Sequence, residues 1–211
     1  MTHPALALLE YESVAAGLRA ADALLKRSPI AAFKAGTVHP GHFLILLGGT
    51  VASVEEAWKT GIDEAPGFLL DEVFLPDVHP EVAECALGAR HAPVEEALGA
   101  LETRGVASLL RAADAAVKGA AVRIAELRLA DDLGGRAFVL FDGSLTEVQT
   151  ALELGESRLG ADRLLNRSLL PRLDPALRRA VAGATRFSAG ATIEPDGAEI
   201  DVSETSTGPV A

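Results

Sequence analysis

The stretch Ala97-Leu98-Gly99-Ala100-Leu101-Glu102 is followed, three residues on, by Val106 and then by Leu110-Arg111-Ala112-Ala113-Asp114-Ala115-Ala116-Val117-Lys118. The chain has already written it once. Ninety-two positions earlier, Ala5-Leu6-Ala7-Leu8-Leu9-Glu10 leads to Val14 and then to Leu18-Arg19-Ala20-Ala21-Asp22-Ala23-Leu24-Leu25-Lys26. Laid over each other without a gap, residues 5–26 and 97–118 agree at 13 of 22 positions. A bias toward Ala and Leu supplies some of these matches. It does not also align the Glu, the Arg, the Asp and the Lys. A fixed internal period of this length marks a duplicated domain. The 211 residues therefore divide into a first domain over 4–89, a linker over 90–96 and a second domain over 97–183.

Periodicity predicts the elements of each half. Residues 5–10 are an apolar run and read as a strand. From Ser13, a natural N-cap, the stripe Val14, Leu18, Ala21 and Leu25 has helical spacing. Ser28-Pro29 ends that helix. A second strand covers 30–38, a tight connection follows, and 43–47 is a buried strand that turns at Gly48-Gly49. Ser53 is then expected to cap a helix to about Asp63, with Glu56 as its capping-box partner. A fourth strand over 68–75 stops at Pro76, and His79-Pro80 opens a short helix. The second half repeats this order: strand 97–102, a helix with the stripe Val106, Leu110, Ala113 and Val117, strand 121–129, and strand 137–141. Asp142-Gly143 reads as a turn, 145–158 as a helix and 164–170 as the last strand. Asp174-Pro175 opens the last helix. The fold class is α+β: two tandem βαββαβ repeats of ferredoxin-like type, each with a short appended helix. Residues 184–211 lack periodicity and are acidic, so a flexible tail is expected, with a hairpin around Asp196-Gly197 as the alternative for 193–200.

Composition narrows the function. Hydrophobic residues make up 49% of the chain and aromatics 4%, so the core must be built from Ala, Leu and Val. A net charge of −11 argues against nucleic acid or an anionic membrane as partner. Cys85 is the only cysteine, which fits a reducing, cytoplasmic compartment. No signal peptide and no membrane span are expected. No nucleophile with an adjacent base is legible. Gly48-Gly49 and Gly134-Gly135 border strands rather than opening helices, so neither is a phosphate loop. The residues give no case for an enzyme.

A strand ending in Leu-Glu, then a helix containing Ala-Ala-Asp-Ala-x-x-Lys, resembles the bacterial microcompartment shell domain. Two copies in one chain resemble the tandem-domain shell proteins, and the first half is most similar to the propanediol-utilisation trimer subtype. The resemblance covers about residues 4–183. It implies a structural shell protein and a homotrimer shaped as a flat disc with six similar edges. The disc would tile with hexameric and pentameric shell proteins around encapsulated enzymes. It implies that the connections Val38, His39, Pro40, Gly41, His42 and Asp131, Asp132, Leu133, Gly134, Gly135, Arg136 meet on the axis and line a pore for small polar metabolites. It also implies that Lys26, Lys118 and Arg172 are edge residues. Asp77 stands near the first-half position that matches Arg172, so the two edges differ. The subtype holds an iron–sulfur cluster on a cysteine ahead of Pro-Gly. Here His39 stands there, and Asp131 and Asp132 stand where the subtype is mostly apolar.

Read without the resemblance, each of these residues has an ordinary explanation. Lys26 and Lys118 end helices, where a cation suits the dipole, and Asp22 and Asp114 pair with them at i,i+4. His39 and His42 are two loop imidazoles, short of the about four ligands that zinc wants. A threefold axis triples that count, so an open polar pore and a metal ion or iron–sulfur cluster at His39 both stay open. His3, His79 and His91 have no nameable partners, and Cys85 reads as a small apolar filler. Two other function classes remain: a regulatory small-molecule-binding oligomer on the same topology, and an enzyme or redox carrier with its metal on the axis.

Overall fold

The computed structural model describes residues 3–160 and 162–197. The first half runs β1 (Ala5–Tyr11), α1 (Val14–Arg27), β2 (Ala32–Val38), β3 (His42–Gly49), α2 (Val51–Glu64), β4 (Leu69–Leu75) and α3 (Pro80–Ala86). The second runs β5 (Ala97–Thr103), α4 (Val106–Gly119), β6 (Arg123–Leu129), β7 (Ala137–Gly143), α5 (Leu145–Glu156), β8 (Leu164–Leu170) and α6 (Pro175–Gly183). Each half is a four-stranded antiparallel sheet, ordered β2-β3-β1-β4 and β6-β7-β5-β8. This is the duplicated βαββαβ arrangement with an appended helix.

The strand period of two separates the faces. Ala5, Ala7, Leu9 and Tyr11 of β1 join Ile45 and Leu47 of β3 in a core with Ala20 and Leu24 of α1 and Val54 and Ala57 of α2. Leu6 and Leu8 point the other way, into the core that also holds Val82 and Cys85 of α3. That second core continues without a break into α4 and the second sheet. The two sheets thus share apolar packing.

Three local expectations are corrected. The cap of α2 is Thr50, whose Oγ1 accepts from the Ser53 amide at 3.2 Å; Ser53 lies inside the helix. Glu56 pairs with Arg27 at 2.9 Å and closes no capping box. The cause is that β3 does not turn at Gly48-Gly49. Gly49 pairs with Ala5 and Gly48 with both Leu6 and Ala32, so the strand runs on to Thr50. Asp142-Gly143 is likewise strand, not turn. The buried Asp142 carboxylate accepts from the amides of Val94 at 2.9 Å and Glu95 at 3.2 Å and pins the linker.

The residues after Gly183 do not leave the body at once. Thr185 Oγ1 donates to Glu126 at 2.8 Å, and Arg186 reaches Asp131 at 3.1 Å and Asp132 at 3.7 Å. A short 3-10 turn, Phe187–Ala189, follows. The hairpin considered for 193–200 extends into residues outside the described ones.

Candidate functional site

The helix α4 sits at the joint between the halves. It and α1 have 14 residues each, but α4 buries ten of them and α1 five. The difference is the face that α4 lays on β4 and α3. Leu110 is 0% exposed there, whereas its repeat twin Leu18 is 55% exposed. Val82 of α3 is 0% exposed at the joint, whereas its twin Leu177 of α6 is 43% exposed.

Polar contacts complete the joint. α1 carries its own cap, Ser13, which accepts from the Ala16 amide. α4 has Gly105 at that position and no side-chain cap. Asp71 of β4 takes over, accepting from the Ser108 amide at 3.1 Å and its hydroxyl at 2.7 Å, and Glu10 accepts from the Val106 amide at 3.3 Å. Two carboxylates at a helix N-terminus satisfy orphan amides and meet the positive end of the dipole. A side chain at residue 105 would crowd this arrangement, since its Cβ would lie 2.6 Å from Asp71 Oδ2.

The loops expected to line a pore lie side by side. Val38, His39, Pro40, Gly41 and His42 form a tight hairpin closed by the Gly41 amide on the Val38 carbonyl at 2.8 Å, with Gly41 at φ +119° and a cis His39–Pro40 peptide. The second loop, Asp131, Asp132, Leu133, Gly134, Gly135 and Arg136, is closed by the Ala130 amide on the Arg136 carbonyl at 3.1 Å. It touches the first: a Cβ on Gly135 would be 3.2 Å from Pro40 Cδ and 3.5 Å from His42 Cε1. His39 is exposed and makes no hydrogen bond among the described residues. His42 is different. Its Nδ1 is 2.8 Å from Glu10 Oε1, so this imidazole is anchored on the carboxylate that also holds α4. Burial pushes the Glu10 carboxyl above its ordinary value, against the lowering effect of those two bonds. Asp131 and Asp132 are exposed, but Arg186 neutralises part of their charge. Arg186 gave no signal in the sequence, because it stands in the aperiodic segment.

The donors here do not fit an iron–sulfur cluster. The loops offer imidazole and carboxylate and no thiolate, whereas such clusters are held wholly or partly by cysteine thiolates. Cys85 is buried in α3, and its thiol is pushed up to about 12 by burial first and then by Glu81 and Glu84. Among the described residues of one chain, no group of three His, Cys, Asp or Glu side chains is placed to hold a metal ion.

The edge residues separate into two kinds. Lys26 has a 74% exposed side chain and, among the described residues, pairs only with Asp22, at 2.6 Å. Lys118 is 39% exposed and spans the joint, donating to the Asp77 carbonyl and pairing with Asp114 at 2.8 Å. Arg172 is exposed and has no ion pair among the described residues. No helix in the described residues is long and apolar enough to cross a membrane.

The BMC domain family matches the chain twice, over residues 5–78 and 97–173. The bacterial microcompartment shell protein PduT of Citrobacter freundii is 34% identical over 80% of this chain and 92% of its own length. The carboxysome assembly protein CcmO of Synechocystis sp. is 27% identical over 72% of this chain and 55% of its own length. Among solved structures, a microcompartments protein from Desulfitobacterium hafniense DCB superposes with a TM-score of 0.73 at 33% identity, covering 83% of this chain and 98% of that one. The fused permuted hexameric shell protein MSM0275 from the RMM microcompartment shares the fold, at a TM-score of 0.51 and 16% identity over 73% of this chain and 83% of its own. Two matched domains in tandem, on two sheets of the same strand order, make this chain a member of the BMC-domain family of bacterial microcompartment shell proteins.

Proposed function

We propose that three chains close into a ring of six domains, and that this disc tiles with hexameric and pentameric shell proteins into the facet of a cytoplasmic microcompartment. One observation carries the reading: what the second half buries on the first is left open on the outer side of each half. Leu18 and Leu25 on α1 repeat the buried Leu110 and Val117, and Leu177 on α6 repeats the buried Val82. A joint of this kind is head-to-tail, and head-to-tail joints of the right rotation close into rings.

In such a ring the two loops of every chain face the axis. His39 contributes three free imidazoles, and the Asp131/Asp132 loop contributes three acidic turns tempered by Arg186. Hydrogen-bonding imidazoles and carboxylates favour small polar or cationic solutes. Lys26 and Arg172 lie on the outer edge, where neighbouring discs meet, and Lys118 is partly committed within the chain.

Light scattering of the full chain is expected to give three chains per particle, and electron microscopy to show sheets at high concentration. Lys26→Asp spares the particle and weakens the sheets. A stable wild-type monomer at micromolar concentration overturns the ring. Metal analysis of untagged protein tests the pore. A metal ion per three chains, lost in His39→Ala, overturns the open opening.

A further inference from the structure

A cavity borders the shared core on the face of the first sheet away from α1 and α2. Half-buried Leu44 of β3 lies in its floor over the buried Leu8 and Leu46, and Leu127 and Leu129 of β6 form its far wall. The segment 184–189 lies across one side. Together they enclose a cavity of about 350 Å³. Ordinary ligand pockets run from about 300 to 1,000 Å³.

The two halves differ where the cavity lies. Gly36 pairs with Leu44 in the first sheet, and Arg128 pairs with Phe138 at the same place in the second. There the Arg128 guanidinium covers the Phe138 ring, 5.7 Å from its centroid. In the first half no described residue fills that space. A Cβ on Gly36 would have no heavy atom within 4 Å.

The lining charge is positive, in a chain whose net charge is −11. Lys34, Arg90, Arg128 and Arg186 stand against Glu126 and Asp131. Three of the four cations are occupied. Arg90 donates to Glu126 and to the carbonyls of Val181 and Gly183. Arg128 donates to Thr185 and to the Asp131 carbonyl, and Arg186 pairs with Asp131 and Asp132. Both acids are therefore held by cations. Lys34 has no partner among the described residues, and the strand period places it on the same face as Gly36, at the cavity mouth.

We propose that this cavity binds a small organic carboxylate with a short unbranched apolar body. The tail lies between Leu44 and Leu129, over the buried Leu8 and Leu46, and the carboxylate meets the Lys34 ammonium. A neutral molecule leaves Lys34 unpaired, and a cation meets like charge. The site borders the second loop through Asp131 and lies apart from Lys26, Lys118 and Arg172.

The test is calorimetric titration of the full chain, in carboxylate-free buffer, with propionate, butyrate, hexanoate and octanoate, and with hexan-1-ol as the neutral control. Saturable binding of one carboxylate per chain is expected, tightening about fourfold per added methylene until the floor is covered. Gly36→Leu, which fills the space, abolishes binding. Lys34→Met weakens hexanoate by about threefold and leaves hexan-1-ol unchanged. Circular dichroism and light scattering on the same variants report fold and assembly separately. No saturable binding to the wild type, binding that survives in a folded Gly36→Leu, or hexan-1-ol bound as tightly as hexanoate each overturns the assignment.

Discussion

Leu18 and Leu110 occupy the same position of the repeat and offer a matched pair of perturbations. In a single chain Leu18 is already 55% exposed, so Leu18→Glu leaves folding within about 0.5 kcal/mol of the wild type. In the proposed ring the same side chain is buried by the next chain. Full burial of a leucine is worth about 1.5–3 kcal/mol, and roughly half of that belongs to the joint. An uncompensated carboxylate in the joint adds about 3 kcal/mol or more of cost. Each joint then loses on the order of 4 kcal/mol, close to a thousandfold in its equilibrium constant, and a ring of three has three such joints. Leu110 is 0% exposed inside the chain, where even truncation to Ala costs about 2–5 kcal/mol. Light scattering and thermal melting together separate the two outcomes. Leu18→Glu is expected to be a folded monomer with a cooperative melt, and Leu110→Glu a chain that fails to fold. A Leu18→Glu protein with the mass of the wild type, or a Leu110→Glu protein that melts normally, refutes the idea that the buried joint is repeated between chains.

Asp71→Ala removes the borrowed cap of α4 and is expected to cost about 1–2 kcal/mol in urea unfolding; an unchanged midpoint shows that the cap is idle. Glu10 makes stability depend on pH. Its folded pKa lies above the ordinary 4.5, so the folded chain retains a proton that the unfolded chain has lost. Its stabilising contribution is complete below pH 4.5 and is lost as pH rises through the raised value. The difference in unfolding free energy between wild type and Glu10→Gln should therefore fall from pH 4.5 to neutrality, and a rise contradicts the assignment. Ending the chain after Gly183 removes Thr185 from the buried Glu126 and should cost about 1–3 kcal/mol while leaving the particle mass per chain count unchanged; an unaltered melting temperature shows that the Thr185 contact contributes nothing.

What the sequence made legible was local or repeated. Ser13 and Asp174 announced their helices because a cap and its helix are adjacent in the chain. The duplication displayed both sheets, since each half repeats the same alternation. What escaped was set by distant partners. Ser53 resembles the cap more than Thr50 does because a glycine pair resembles a turn, and only the pairing of Gly48 and Gly49 with β1 and β2 shows it to be strand. Asp142-Gly143 misled for the same reason. The bond from the Val106 amide to Glu10 spans 96 residues, and the Arg186 contact with Asp131 spans 55. Neither has a periodic signature. One faint signal was present. Where the first repeat has Ser13, the second has Gly105, and a missing cap asks what replaces it.

That borrowed cap makes the two halves unequal as separable pieces. The first half holds its own caps, Ser13 and Thr50, and also Glu10 and Asp71 on β1 and β4. The second half has no cap of its own for α4, and its core runs on into Leu8, Val73 and Val82 of the first. Residues 97–183 produced as a separate chain would leave the start of α4 uncapped and its apolar stripe open to solvent.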